Sequence, residues 1–193
     1  MRKLLLPLLF FLAACGSKQD DKKGEKNENT DYLVTLEGIG AIKTSMTQEE
    51  LEKLLQQKVP LTNPTDTISG SWQDAALIKY KDAELNMEFT RTYAYTKEDS
   101  FHMRITRITT NSPLCKTASG IGIGSGKQQV VDAFDNYLLF LDRGYDNDTT
   151  TVRSKTLYTI KVRESREGPQ IIFYLKSNKV YSIEVGSFYD DSE

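Results

Sequence analysis

Alternation with a period of two constrains this chain most. Leu85, Met87 and Phe89 alternate with Asn86 and Glu88, and Phe101, Met103 and Ile105 alternate with His102, Arg104 and Thr106. Tyr158, Ile160 and Val162 repeat the pattern. Successive side chains of a strand point to opposite faces, so each segment reads as a half-buried strand. Ala76 to Tyr80 and Ile171 to Leu175 are denser, β-prone apolar runs. Lys176-Ser177-Asn178-Lys179 reads as a turn, and Val180 to Val185 as a returning strand.

Two helices are expected between the strands. Thr47 and Glu50 have the spacing of a capping box, with Met46 and Leu51 placed as a hydrophobic staple. Leu51, Leu54 and Leu55 would share one helical face, and Pro60 ends the segment. A second helix would carry Val130, Val131, Phe134, Tyr137, Leu138 and Leu141. Placing Leu51 on Val130 also places Ile42 on Ile121 and Leu55 on Phe134, so one unit recurs in order. The expectation is an α+β chain of two tandem repeats, over residues 31–112 and 113–193. Each would be a helix packed on an antiparallel β-sheet.

Residues 1–15 read MRKLLLPLLFFLAAC. Arg2 and Lys3 precede the apolar run Leu4 to Leu12, which is too short to span ~30 Å of hydrocarbon and fits a secretory signal over residues 1–14. Leu12-Ala13-Ala14-Cys15 resembles the bacterial lipobox. The resemblance implies lipidation of Cys15 and cleavage just before it. Such an anchor holds without spanning, at ~0.8 kcal/mol per buried CH₂. Residues 16–30 carry no apolar side chain, and a disordered tether is expected there. Extended, it would reach ~50 Å. Lys18-Gln19-Asp20-Asp21 resembles the export signal of Bacteroidetes surface lipoproteins, which implies the outer face of the outer membrane.

The folded part resembles the β-lactamase-inhibitor-protein-like fold and the SmpA/OmlA type of outer-membrane lipoprotein. The family's Gly-Met-Thr before the helix stands here as Ser45-Met46-Thr47, and later as Gly124-Ser125-Gly126. Ile172 to Ile183 matches the closing hairpin. The likeness covers about residues 35–186, as two repeat units. It implies a binding or scaffolding role at the envelope, with a periplasm-facing assembly factor as the alternative.

The inventory for chemistry is thin. Lys plus Arg is 25 and Asp plus Glu is 27, a net charge of −2, which argues against nucleic acid as a partner. Two cysteines and one histidine exclude a Cys/His metal cluster. Cys115 reads as a buried small residue rather than a nucleophile. Gly120 to Lys127 fails both the P-loop and the dinucleotide spacing. His102 lies on the polar face of its strand, away from any Gly-x-Ser-x-Gly. Asp142, Asp146, Asn147 and Asp148 lack the glycine of a calcium loop. Glu84, Glu88, Glu164 and Glu167 supply no distinguished carboxylate pair.

No catalytic residue, metal or cofactor is therefore expected, and the chain reads as a non-enzyme. Asp66-Thr67-Ile68 and Asp148-Thr149-Thr150 resemble the Bacteroidetes O-glycosylation signal, making Thr67 and Thr149 candidate sites. Trp72, the segment Thr92-Tyr93-Ala94-Tyr95, Tyr145 and Tyr189 are candidates for an interaction surface. The expected partners are a membrane, through Cys15, and a protein.

Overall fold

The computed structural model describes residues 30–62, 73–93, 101–147 and 151–187. After one 3-10 turn (Thr30–Tyr32) the chain runs β1 (Leu33–Thr35), β2 (Gly38–Ile39), β3 (Ile42–Lys43), α1 (Gln48–Leu55), β4 (Gln73–Tyr80), β5 (Ala83–Tyr93) and β6 (Phe101–Thr110). It continues through β7 (Lys116–Thr117), α2 (Lys127–Ala133), β8 (Leu138–Tyr145), β9 (Arg153–Arg163), β10 (Pro169–Lys176) and β11 (Lys179–Ser187).

The long strands form one seven-stranded antiparallel sheet in the order β4-β5-β6-β11-β10-β9-β8. The alternating residues decide which face is inward. Leu85, Met87, Phe89, Ile105, Ile160, Phe173 and Ile183 are all buried in one apolar cluster. The turn between β10 and β11 holds Ser177 and Asn178 at positive φ (51° and 62°), which suits a tight hairpin. A small sheet, β3-β2-β1-β7, contributes Val34, Ile39 and Ile42 to the same cluster. Its β1–β7 pairing is parallel and joins residues far apart in the chain. Gly40 turns the chain between β2 and β3 at φ 59°, where a Cβ would lie 2.1 Å from the Asp31 carbonyl oxygen.

The expected arrangement of two repeats, each a helix on its own antiparallel sheet, is overturned. The chain is mostly β, and the strands of both halves share one sheet through the pairing of β6 with β11. The helices span only 8 and 7 residues. Helix α1 has the expected capping box: Glu50 N–H donates to Thr47 Oγ1 (3.2 Å) and Thr47 N–H to Glu50 Oε2 (2.8 Å). Leu51 is buried and Leu55 packs on the core, but Leu54 is exposed.

The second helix departs further. It ends at Ala133, and Tyr137 N–H donates to the Phe134 carbonyl in the turn that follows (3.0 Å). Leu138 and Leu141 belong to β8 instead. Their spacing from Val130 suited a helical face. Leu138-Leu139-Phe140-Leu141 is nevertheless a continuous apolar run, and pairing with β9 satisfies its backbone along a whole strand.

Candidate functional site

Strand β8 is an end strand of the large sheet and pairs with β9 alone among the described residues. The register sets Leu139 opposite Val162 and Leu141 opposite Ile160, on the face that looks toward α2. Leu138 and Phe140 lie opposite Arg163 and Lys161 on the other face. At Gly144 the register shifts, and a Cβ there would sit 3.2 Å from Leu157 Cβ. Neither face of β8 is well covered. Leu138 is 41% exposed, Phe140 42%, Leu141 51% and Tyr145 45%. The cause is reach. Helix α2 stops early, and Phe134 at its end packs on Phe173 of β10 (centroids 5.7 Å), two strands inward of β8.

Cations flank this apolar strip. The Arg163 guanidinium lies 5.0 Å from the Phe140 ring centroid, while its Nε donates to Gln170 Oε1 (2.9 Å) and its Nη1 to the Arg166 carbonyl (3.2 Å). Arg153 lies 4.6 Å from the Tyr145 ring and donates to the Arg143 carbonyl (2.6 Å). Lys127 and Arg143 stand 4.6 and 5.9 Å from the Tyr158 ring. Aromatic and aliphatic side chains beside arginines are the composition of a contact surface.

The other notable cluster is polar and braces the sheet. On the face away from the core, Tyr174 of β10 donates its hydroxyl to Glu184 Oε2 of β11 (2.8 Å). Glu184 Oε1 is 3.5 Å from Arg107 Nε of β6, and Arg107 Nη1 is 3.1 Å from Glu88 Oε2 of β5. Burial, and then the Glu184 charge, hold the tyrosine pKa well above its ordinary value. The hydroxyl therefore stays protonated and serves as a donor. Glu184 is buried, and these partners compensate its lost hydration. A hollow of about 460 Å³ lies beside Glu88 and Arg107, lined also by Thr62 and Asp74.

The residues singled out in the sequence are placed as follows. Cys15, Thr67, Trp72, Tyr95, Thr149 and Tyr189 lie outside the described residues. Tyr93 is the last residue of β5, with its backbone opposite Phe101, and Thr92 lies opposite His102. Tyr145 is exposed at the end of β8. Cys115 is fully buried, and burial raises its pKa against hydrogen bonds with Thr110 and Ser112. The glycine loop before α2 is tied down by the β10–β11 hairpin. Gly124 N–H donates to the Val180 carbonyl (2.8 Å) and Lys127 N–H to the Asn178 carbonyl (3.0 Å). Of the four glutamates, Glu88 pairs with Arg107. Among the described residues no three His, Cys, Asp or Glu side chains gather as a metal site.

Sequence reading missed Leu138, Leu139, Phe140 and Leu141 as a surface because it placed this stretch on a helix. The signal was present in their contiguity. Four adjacent apolar residues on a helix would point in every direction, whereas on a strand they fill both faces. No protein-family model matches the chain, and neither does any curated protein or solved structure.

Proposed function

We propose that this chain is a lipid-anchored, non-enzymatic binding or scaffolding module at the bacterial outer membrane, and that β8 is its working edge. One observation carries the reading: an end strand with four consecutive apolar residues and substantial exposure on both faces. Sheet edges present unpaired N–H and C=O groups, and proteins ordinarily blunt them with charge, proline or a cover. An edge left apolar over its first half and flanked by arginines suits strand addition, in which backbone hydrogen bonds supply affinity and side chains supply selectivity. The front of the chain supports the anchor: Arg2-Lys3, the apolar run Leu4 to Leu12, and Cys15 in its lipobox-like setting. No helix among the described residues is long and apolar enough to cross a membrane.

The edge is tested by placing a photo-crosslinking phenylalanine analogue at position 140 in cells, with position 77 on β4 as the control. A discrete adduct at 140 and none at 77 is expected. No adduct at 140, or equal labelling at both, overturns the reading. For the anchor, Cys15→Ala should move the protein from the membrane to the soluble fraction, and retention would refute lipidation. Protease shaving of intact cells sets the leaflet: loss means surface display, and protection until the outer membrane is broken favours the periplasmic assembly role.

A further inference from the structure

We infer that the occupant of the β8 edge is a second copy of this chain, with the two β8 strands paired antiparallel about a two-fold axis at Phe140. The inference rests on the binding-edge reading above and names its partner. A two-fold that continues a sheet runs perpendicular to it, so each residue must face one that projects from the same side. The axis therefore passes through a residue, never between two, and few registers remain.

The sequence of β8 chooses among them. An axis at Asp142 sets two carboxylates opposite each other, and one at Arg143 sets two guanidiniums opposite, both unfavourable. An axis at Leu141 places Phe140 against Asp142 and Leu139 against Arg143. An axis at Leu139 leaves only Leu138 to Phe140 paired within the strand. With the axis at Phe140, the two phenylalanines meet and Leu139 meets Leu141 twice. Asp142 falls at the margin opposite Leu138, and Arg143 falls opposite the ring of Tyr137, just outside the strand. This register pairs five residues of the strand, Leu138 to Asp142, against three for the axis at Leu139, with an apolar centre and no like charges facing each other.

The two faces fit the same register. Phe140 projects on the Arg163 side, so the paired rings would be bracketed by two guanidiniums, each 5.0 Å from its own phenylalanine. Leu139 and Leu141 project on the α2 side, where the partner's leucines would cover the exposed half of Leu141. An eight-residue edge covers less surface than the ~1,600 Å² of a standard interface, so the pair is weak in free solution. Anchoring both copies in one membrane raises their effective concentration and favours pairing there.

The test uses the full-length chain in its membrane, with single cysteines placed in turn at positions 138 to 142 and mild oxidation. A disulfide needs Cα atoms about 4.4–6.8 Å apart and Cβ atoms turned toward each other, which across two strands only directly opposed residues combine. Phe140→Cys should give at least about threefold more covalent dimer than any neighbour, and a mixture of Leu139→Cys with Leu141→Cys at least about threefold more than either alone. Phe140→Asp, with a normal unfolding transition, should lose the dimer formed by a Leu139→Cys and Leu141→Cys mixture. Even yields along the strand, a maximum elsewhere, or no dimer overturn the inference.

The photo-crosslinker at 140 separates this inference from the broader reading. An adduct of twice the chain mass supports self-pairing. An adduct of another protein mass overturns self-pairing and leaves the binding edge standing. A lipid adduct alone overturns self-pairing and assigns the edge to the bilayer. No adduct overturns both.

Discussion

At one end of the large sheet, β4 alternates buried Ala76, Ile78 and Tyr80 with exposed Gln73, Leu77 and Lys79. At the other end, β8 is exposed along nearly its whole length on both faces. The β4 edge is also partly closed. Thr62 donates to the Ala75 carbonyl from its N–H (3.2 Å) and its Oγ1 (2.9 Å), and Asp74 Oδ1 accepts from the Thr62 N–H (3.0 Å). Charge and a capping loop are the ordinary protections of an edge, and β4 has both. The apolar half of β8, residues 138–141, has neither among the described residues. The same sheet thus closes one end and leaves the other suited to contact.

The sharpest way to break the comparison is to loosen the core that joins the two ends. Phe173 is fully buried on β10, inside the sheet next to its central strand β11. Phe173→Ala should cost about 3–5 kcal/mol in urea unfolding. Both ends should be lost in a single transition. Separate transitions for β4 and β8 would mean that the two edges belong to independent units.

The polar brace between the edges has a smaller effect and a distinct pH signature. Tyr174→Phe should cost about 1 kcal/mol at neutral pH by removing the hydrogen bond to Glu184. The Tyr174 pKa is raised in the folded chain, so its proton is held more tightly there than in the unfolded chain. Its contribution is therefore complete below the ordinary tyrosine value of about 10 and declines as pH climbs past it. Cys115, also raised, acts in the same direction. The stability of Tyr174→Phe should consequently fall less steeply than that of the parent chain between about pH 9 and pH 11. Equal slopes would show that Tyr174 titrates alike in both states.

Opening the protected edge sharpens the contrast. Thr62→Val removes one hydrogen bond to Ala75 and should cost about 0.5–1 kcal/mol. Amide exchange should then quicken in β4 and stay unchanged in β8. The smallest effect belongs to Leu77, which is 63% exposed on β4. Leu77→Lys should change stability by less than about 0.5 kcal/mol and leave dimer capture at position 140 untouched. A loss of dimer there would move the contact surface to the β4 end.

Much of the strand content is legible in the chain because its causes are local. Leu85-Met87-Phe89 and Tyr158-Ile160-Val162 alternate by their own spacing, Ser177-Asn178 suits a tight turn, and Thr47 with Glu50 caps a helix across three residues. The β8 edge was less legible. Leu138 and Leu141 satisfied a helical spacing from Val130, and nothing within that stretch chose between helix and strand. The choice came from β9, whose Ile160 and Val162 offer a pairing partner that is distant in the chain.

The sequence by itself determined the half-buried strands, the capped first helix and the absence of a second thiol within Asp31–Glu193, since each depends on neighbouring residues or on composition. Only the tertiary structure decided that both halves share a sheet, through Ile108 opposite Val185, and that β8 is its uncovered end. The physical reason is that the order of strands in a sheet follows from which edges meet and how much apolar surface each meeting buries. Those are properties of the assembled layers, carried by no single segment.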